Sequence, residues 1–565
     1  MEPGDGVQCG KAPDTSAGSL NFQHPPPTQK DRRDFSQAVE VVRVVLSDMA
    51  SVEHLSTSSG APPAVEQTTG AATAAREQHV DPLNVSGAID EQGNVLAFDY
   101  EALRQKFDTA LIDESLRQRF ERVTGKKLHR LIRRGHFFSH RDLDKILDCY
   151  ERGDTFFIYT GRGPSSDSMH LGHAIPFLFT KELQDIFDVP VVIMLTDDEK
   201  FQFRGAKEGR DLGEFLDYAY SNAKDIIAMG FDLKKTFIYS DVEFFGGHYM
   251  QNVTEFETLL TNNQVRGAMG FDGRYVNILS PEPATSIGMN SYPAKQCVAA
   301  FASSYPELFG APDFCRPRPR SKGNFEKRPR KEIAAIPCLI PCAIDQDPYF
   351  RLVRDNCHRM KAPSPKPALI HAKFLTALQG PGGKMSASDP TSAIFMSDTQ
   401  KQIEKKINKY AFSGGRATKE EHEKYGGNPD VDVAYDYLTY FLEDDEELAQ
   451  IRESYKAGTL STGNLKKKCI AELQKFVGGF QERRNEATDD VLDKFMTPRK
   501  MEYAGNPHPI KVEEAVVQQN GETTEEKPDR NGKRERKLEK LEQKKREKEL
   551  EKLALRNRDE KSGES

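Results

Sequence analysis

Between residues 155 and 196 the chain reads as strand, glycine-bearing turn, helix and second strand, and this run limits the fold more tightly than any other. Residues 155–160 are β-branched and aromatic, which favours an extended strand. Residues 173–187 carry apolar side chains at helical spacing. Pro176 is expected in the first turn, where a missing N–H is tolerated. Residues 189–196 form a nearly unbroken apolar run, as in a strand buried on both faces. The unit is βαβ, so its first loop meets the carboxyl end of a parallel sheet, where α/β folds bind ligands.

The loop, Tyr159-Thr160-Gly161-Arg162-Gly163-Pro164-Ser165-Ser166-Asp167-Ser168-Met169-His170-Leu171-Gly172-His173, suits a nucleotide. Gly161 and Gly163 permit a sharp turn close to a ligand. The start of the helix offers unpaired N–H groups and positive potential to phosphate. His170 and His173, three residues apart, can face the same anion, and Gly172 leaves room for a flat base. A solvated polar turn with two ordinary histidines is the plain alternative. A second stretch, Gln379-Gly380-Pro381-Gly382-Gly383-Lys384-Met385-Ser386-Ala387-Ser388-Asp389, sets one lysine and two serines among glycines. It is expected to be a mobile loop whose cation closes over a leaving polyphosphate, or else a flexible connection.

His-Leu-Gly-His early and Lys-Met-Ser-Ala-Ser late resemble, in order and separation, the two signatures of class I aminoacyl-tRNA synthetases. Thr196-Asp197-Asp198-Glu199-Lys200, Cys342-Ala343-Ile344-Asp345-Gln346-Asp347-Pro348-Tyr349-Phe350 and Ala411-Phe412-Ser413-Gly414-Gly415-Arg416 sharpen the likeness. Together with the first loop they resemble eukaryotic-type cytoplasmic tryptophanyl-tRNA synthetases, from roughly residue 81 to residue 499. The resemblance implies an α/β fold: a Rossmann-type parallel-sheet catalytic domain with an inserted helical connective segment, then an all-α anticodon-binding domain. The expected boundaries are a disordered extension at 1–78, the catalytic domain at 79–392, the helical domain at 393–500 and a charged, partly helical tail at 501–565. The inserted segment, about 243–306, implies a homodimer. Residues 80–85 resemble a family segment that folds over the site.

The resemblance also implies chemistry: L-tryptophan is activated with ATP and passed to tRNA(Trp). ATP is expected with Mg²⁺, and no structural metal is expected in the protein. By resemblance His170 and His173 hold ATP phosphates, while Lys384 and Ser386 hold the departing pyrophosphate. Thr160, Gly161, Arg162, Gly172, Met385 and Ser388 complete the ATP site. Glu199, Gln296 and Gln346 surround the α-amino group, Lys200 faces the carboxylate, and the Tyr159 hydroxyl accepts the indole N–H. Related enzymes have a glutamine where this chain has Met194, so one polar partner of the indole is absent or replaced. Tyrosyl-tRNA synthetase shares both signatures, but the run from Ala343 to Phe350 argues against it. A synthetase-like RNA-binding protein without catalysis would have no need of His170, Gly172, His173, Glu199 and Lys384.

Composition adds limits. The net charge of −7 confines any RNA affinity to local basic patches. Lys405, Lys406, Lys409 and Arg416 offer one such patch. The basic, proline-rich insertion at 311–333 is expected to be exposed, either gripping RNA or merely tolerated. The eight cysteines lack zinc spacing and suit a reducing compartment. No apolar run reaches membrane-spanning length, and the N-terminus lacks a secretory pattern, so a cytoplasmic location is expected. Residues 100–150 read as helices, including 132–141, whose arginines solvate a helix or reach RNA.

Overall fold

The computed structural model describes residues 76–503, apart from 83, 271–284, 310–330 and 388. The expected extension up to residue 75, nearly all of the basic insertion, Ser388 and the tail beyond 503 therefore lie outside the described residues. Among the described residues the strands are β1 (His79–Val80), β2 (Val85–Ser86), β3 (Ala110–Leu111), β4 (Phe137–Arg141), β5 (Phe157–Arg162), β6 (Val191–Leu195), β7 (Thr236–Ser240), β8 (Cys338–Ala343), β9 (Ala368–Ala372), β10 (Thr376–Ala377) and β11 (Gly380–Lys384).

A seven-stranded sheet runs in the order β3-β4-β9-β8-β5-β6-β7. From β9 to β7 all neighbours are parallel, while β4 and β3 join antiparallel at one side. The chain steps outward from β5 to β6 and β7, then returns to lay β8 on the other side of β5. That reversal opens a crevice at the carboxyl ends of β5 and β8. Period-two alternation sorts the strand residues into two cores. Ile158, Val191, Ile193, Ile238, Leu339 and Ile370 face one way, with the helices Leu171–Phe187 and Leu212–Ile227. Tyr159, Val192, Met194, Tyr239, Ile340 and Leu369 face the other, with the inserted helices Gly247–Glu257 and Ile287–Val298.

Three expectations need correction. The first helix begins at Leu171, not His173, so Pro176 sits in its second turn. There the ring removes the N–H that the Gly172 carbonyl would otherwise accept. Residues 132–141 are not one helix. The short helix Arg130–Arg133 stops at Gly135, which holds a left-handed φ of 71°, and the aromatic pair Phe137–Phe138 then enters β4. The arginines here bond within the chain. Arg130 Nε donates to the Tyr440 carbonyl at 2.7 Å, Arg133 Nε to Asp445 at 3.0 Å, and Arg134 to the Thr439 and Leu442 carbonyls at 2.8 and 2.7 Å. They cap the helix Val433–Phe441 and fasten the C-terminal helices to the sheet. The 25-residue helix Thr462–Glu486 adds a second tie, Arg484 to Asp225 at 2.7 Å.

The lysine stretch is the third correction. β10 and β11 pair as an antiparallel hairpin, so Lys384 stands at the end of a strand rather than on a loose loop. Gly380 and Gly382 hold φ of 119° and 86°, which side chains rarely tolerate, and a Cβ on Gly382 would collide with the Leu96 carbonyl. Phe412 packs over Gly380, and its N–H donates to the Leu378 carbonyl at 2.8 Å. Tyr437 donates to the Thr376 carbonyl at 2.7 Å. The hairpin base thus rests on the C-terminal helices. Lys406 is used internally, on Asp398 at 2.6 Å, while Lys405, Lys409 and Arg416 are exposed, Arg416 with its Nε on the Gly426 carbonyl at 3.0 Å.

Candidate active site

One cavity of about 350 Å³ occupies the crevice between β5 and β8. The end of β5 lends it Tyr159, Thr160, Gly161 and Arg162. The start of the first helix lends His170, Gly172 and His173. Glu199 and Lys200 enter after β6, Gln296 from the inserted helix Ile287–Val298, and Gln346 after β8. Lys384 and Met385 close it from the hairpin. Ser386 is outside the lining, with its backbone N–H and carbonyl both bonded to the Ser392 hydroxyl at 3.2 Å.

The end of the cavity expected to meet phosphate is built from buried nitrogen. The rings of His170 and His173 stack with centroids 3.5 Å apart. Burial, with the nearby Arg162 and Lys384 charges, pushes His170 down to about 3 and holds His173 well below the usual imidazole range, so both are neutral at physiological pH. Neither Nδ1 has a partner. Arg162 is pinned by Asn222 at 3.1 Å and by the Gly163 carbonyl at 2.6 Å, and its Nη2 is left over. Burial pulls Arg162 down to about 10, which keeps it charged. Unpaired buried nitrogens of this kind are stabilised by an acceptor, and phosphate oxygens are strong acceptors. The main-chain N–H of Leu171 is already taken by the Ile394 carbonyl at 2.9 Å. The helix start is therefore less open to an anion than a free N-terminus. Lys384 Nζ rests 3.7 Å from Asp345 Oδ2, and the other Asp345 oxygen is buried without a partner.

The other end is mixed in polarity. Lys200 Nζ pairs with Glu199 Oε2 at 2.8 Å, and its stem crosses Gly163, where a Cβ would collide with Lys200 Cε. Tyr159 is completely buried and donates its hydroxyl proton to Met194 Sδ at 3.2 Å. Phe350 meets the Tyr159 ring edge-to-face at 6.1 Å. The structure adds Tyr292, Tyr349, Asp345 and Lys373 to the lining, and Pro82 of the segment 80–85 lines it too. Tyr292 stands four residues before Gln296 on one helix face, a spacing readable in the sequence. Lys373 carried no such signal.

A parallel sheet with this switch point, read by two histidines and a lysine hairpin, defines a class I aminoacyl-tRNA synthetase, and residues 333–478 match the family model for class I tRNA synthetases (W and Y). The tryptophan--tRNA ligase, cytoplasmic, of Schizosaccharomyces pombe is 51% identical over 429 residues, 76% of this chain and 99% of the relative. That of Saccharomyces cerevisiae is 48% identical over 429 residues, 76% of this chain and 91% of the relative. A solved tryptophanyl-tRNA synthetase from Encephalitozoon cuniculi, bound to tryptophan, is 34% identical, superposes with a TM-score of 0.58, and covers 71% of this chain and 100% of its own. The chain belongs to the tryptophanyl-tRNA synthetase family.

Proposed function

We propose that the protein is a tryptophan--tRNA ligase, acting in the cytoplasm as its named relatives do. The observation that carries this is the cavity itself. A Glu199–Lys200 pair that a zwitterion can replace lies in the same space as a buried tyrosine and the two-histidine, one-lysine phosphate end. The α-amino group of tryptophan takes the Glu199 carboxylate, with Gln296 and Gln346 beside it, and its carboxylate faces Lys200. The O–H of Tyr159 stays on the Met194 sulfur, which leaves the oxygen lone pairs for the indole N–H.

The tryptophan carboxylate oxygen then attacks the α-phosphate of ATP, and the bond to pyrophosphate breaks. His170 and His173 donate to phosphate oxygens, and Lys384 leaves Asp345 to meet the leaving group. Two anions react, so positioning and charge neutralisation matter more than a proton-transferring base. Mg²⁺ arriving with ATP screens the same phosphates. A ribose hydroxyl of the terminal tRNA adenosine afterwards takes the acyl group from the adenylate. Helices beyond residue 399, with Lys405 and Lys409 exposed, serve the anticodon, whose unpaired bases suit side-chain readout. The inserted helices make the contact of a homodimer, where Ile287 presents an apolar side chain that is 89% exposed.

The chain contains no tryptophan, so bound substrate is the sole indole in a binding experiment. Its emission is expected to shift to shorter wavelength and to saturate with protein concentration. Tyr159→Phe should weaken binding by roughly 0.5–1.5 kcal/mol, and by more if the N–H stays buried without a partner. Met194→Gln in that background should recover part of the loss. If tyrosine displaces the ligand as well as tryptophan does, the substrate assignment is wrong.

A further inference from the structure

Behind the amino-acid end of the cavity three carboxylates converge. Asp197 and Asp198 follow β6, Asp241 follows β7, and one oxygen of each lies within 4.8 Å of the others. All three are buried, Asp197 and Asp241 completely. Asp197 is satisfied: Oδ1 accepts from the main-chain N–H of Asp198 at 2.9 Å and of Val242 at 3.2 Å, and Oδ2 accepts from the Ser240 hydroxyl. Asp198 Oδ2 accepts from Lys295 Nζ at 2.6 Å. Asp198 Oδ1 and both oxygens of Asp241 have no donor. Three carboxylates against one ammonium leave two negative charges over; Asp197 is held by its three donors, so the dry contact of Asp198 with Asp241 is left one positive charge short. A bound cation or a proton would supply it. Lys295 decides between them, because its ammonium already stands in the cluster and would repel a second cation.

We propose that Asp241 is a positioning residue of the amino-acid subsite: it stays a neutral acid, donates its proton to Asp198 Oδ1, and so locks the Asp198–Lys295 pair that sets the gap between Glu199 and Gln296. Chain adjacency gives this its force. Asp198 directly precedes Glu199 at the end of β6, and Lys295 directly precedes Gln296 on the inserted helix. The Asp198–Lys295 bond therefore ties together the two backbones that deliver the α-amino contacts. The inference rests on the reading of Glu199 and Gln296 given above.

The groups that face Asp241 agree with a neutral acid. Asp197 and Asp198 approach from the turn after β6, Lys295 and Tyr292 from the inserted helix, Tyr249 from the helix Gly247–Glu257, Tyr239 from β7, Tyr159 from β5, and Tyr305 from just before the helix Pro306–Phe309. Among these Lys295 alone favours the ionised form. Burial, then the two aspartates, hold the Asp241 carboxyl well above the usual range. An acid raised in the folded state contributes stability at low pH that is lost as pH rises through its folded value. Ionisation of Asp241 should thus loosen the subsite at alkaline pH.

The test is ATP–pyrophosphate exchange by the full chain across pH. Asp241→Asn keeps the shape and a donor but does not ionise. It should match the wild-type KM for tryptophan at neutral pH within about twofold, whereas Asp198→Ala should raise that KM about tenfold with the KM for ATP nearly unmoved. As pH is raised from neutral into the alkaline range the wild-type KM for tryptophan should climb while that of Asp241→Asn stays flat. Parallel profiles in wild type and Asp241→Asn overturn the proposal, and so does a stoichiometric metal ion in the purified protein. If wild type exchanges with tryptophan and Asp198→Ala leaves its KM unmoved, the clamp alone falls. If wild type does not exchange at all, the functional reading falls and the clamp with it.

Discussion

Lys384→Ala is expected to slow ATP–pyrophosphate exchange by about 10²–10³-fold, the usual loss when a group that stabilises developing charge is removed. The KM for tryptophan should move by less than about threefold, because the lysine sits at the far end of the cavity. Three observations argue for a kinetic rather than a structural loss. The side chain is 41% exposed, so little packing disappears with it. Its contacts in the structure are a 3.7 Å approach to Asp345 and a 5.5 Å approach to the centroid of the Phe374 ring, weak ties that a polyphosphate can replace. The hairpin that carries it is fixed independently, by Gly380, Gly382, Phe412 and Tyr437. Rapid-quench measurement of adenylate formation separates the chemical step from binding. An exchange rate within about threefold of wild type would show that the lysine does not meet the leaving group.

Asp347→Ala should lower stability by about 3–5 kcal/mol, since it leaves a half-buried arginine and a fully buried histidine without their shared partner. Asp347 is fully buried. Arg141 grips both its oxygens, at 2.7 and 2.9 Å, and His371 Nε2 lies 3.1 Å from Oδ1. Ser139 Oγ sits 3.0 Å from the other ring nitrogen of His371. The network joins β4, β9 and the helix that begins at Asp347, one residue after Gln346. Its loss should therefore blur the α-amino contacts as well. Burial alone would raise this carboxyl, but His371 and Arg141 together hold it at about 2, below its usual 3.8. A depressed acid stabilises above its unfolded value, so about 2 kcal/mol should be lost as pH falls from about 4 toward 2, and Asp347→Asn should flatten that slope. Chemical denaturation of wild type and both variants at several pH values reads all of this. A midpoint unchanged in Asp347→Ala would contradict the network.

The sequence carried much of the site because its motifs bundle chemistry with local geometry. Strand, turn and helix around His170 were legible from periodicity, and the parallel sheet followed from the apolar run of β6. Boundaries and long-range pairings were not. β4 reads as helix because a short helix precedes it and only Arg134, Gly135 and His136 separate them; its strand character comes from pairing with β9, more than two hundred residues later. The lysine stretch reads as a loop because glycines are conformationally permissive, yet here two of them hold the backbone of a tight hairpin against Leu96 and Phe412. Arg133 and Arg134 looked like surface charge because their partners, the Asp445 carboxylate and the carbonyls ending the helix Val433–Phe441, lie about three hundred residues further along the chain, beyond the reach of any local pattern. The Tyr159–Met194 contact was legible only in part: the residues were singled out, but that a thioether would take the phenol proton follows from their shared face of the sheet.

ATP–pyrophosphate exchange by the full chain, run separately with tryptophan, tyrosine and phenylalanine and followed by charging of tRNA(Trp), tests the central claim most directly. The account predicts robust exchange with tryptophan, exchange with the other two lower by roughly 10⁴-fold, as a buried hydrogen-bonding subsite allows, and transfer of tryptophan to the tRNA. Equal exchange with tyrosine, or binding of tRNA without any exchange, would contradict it.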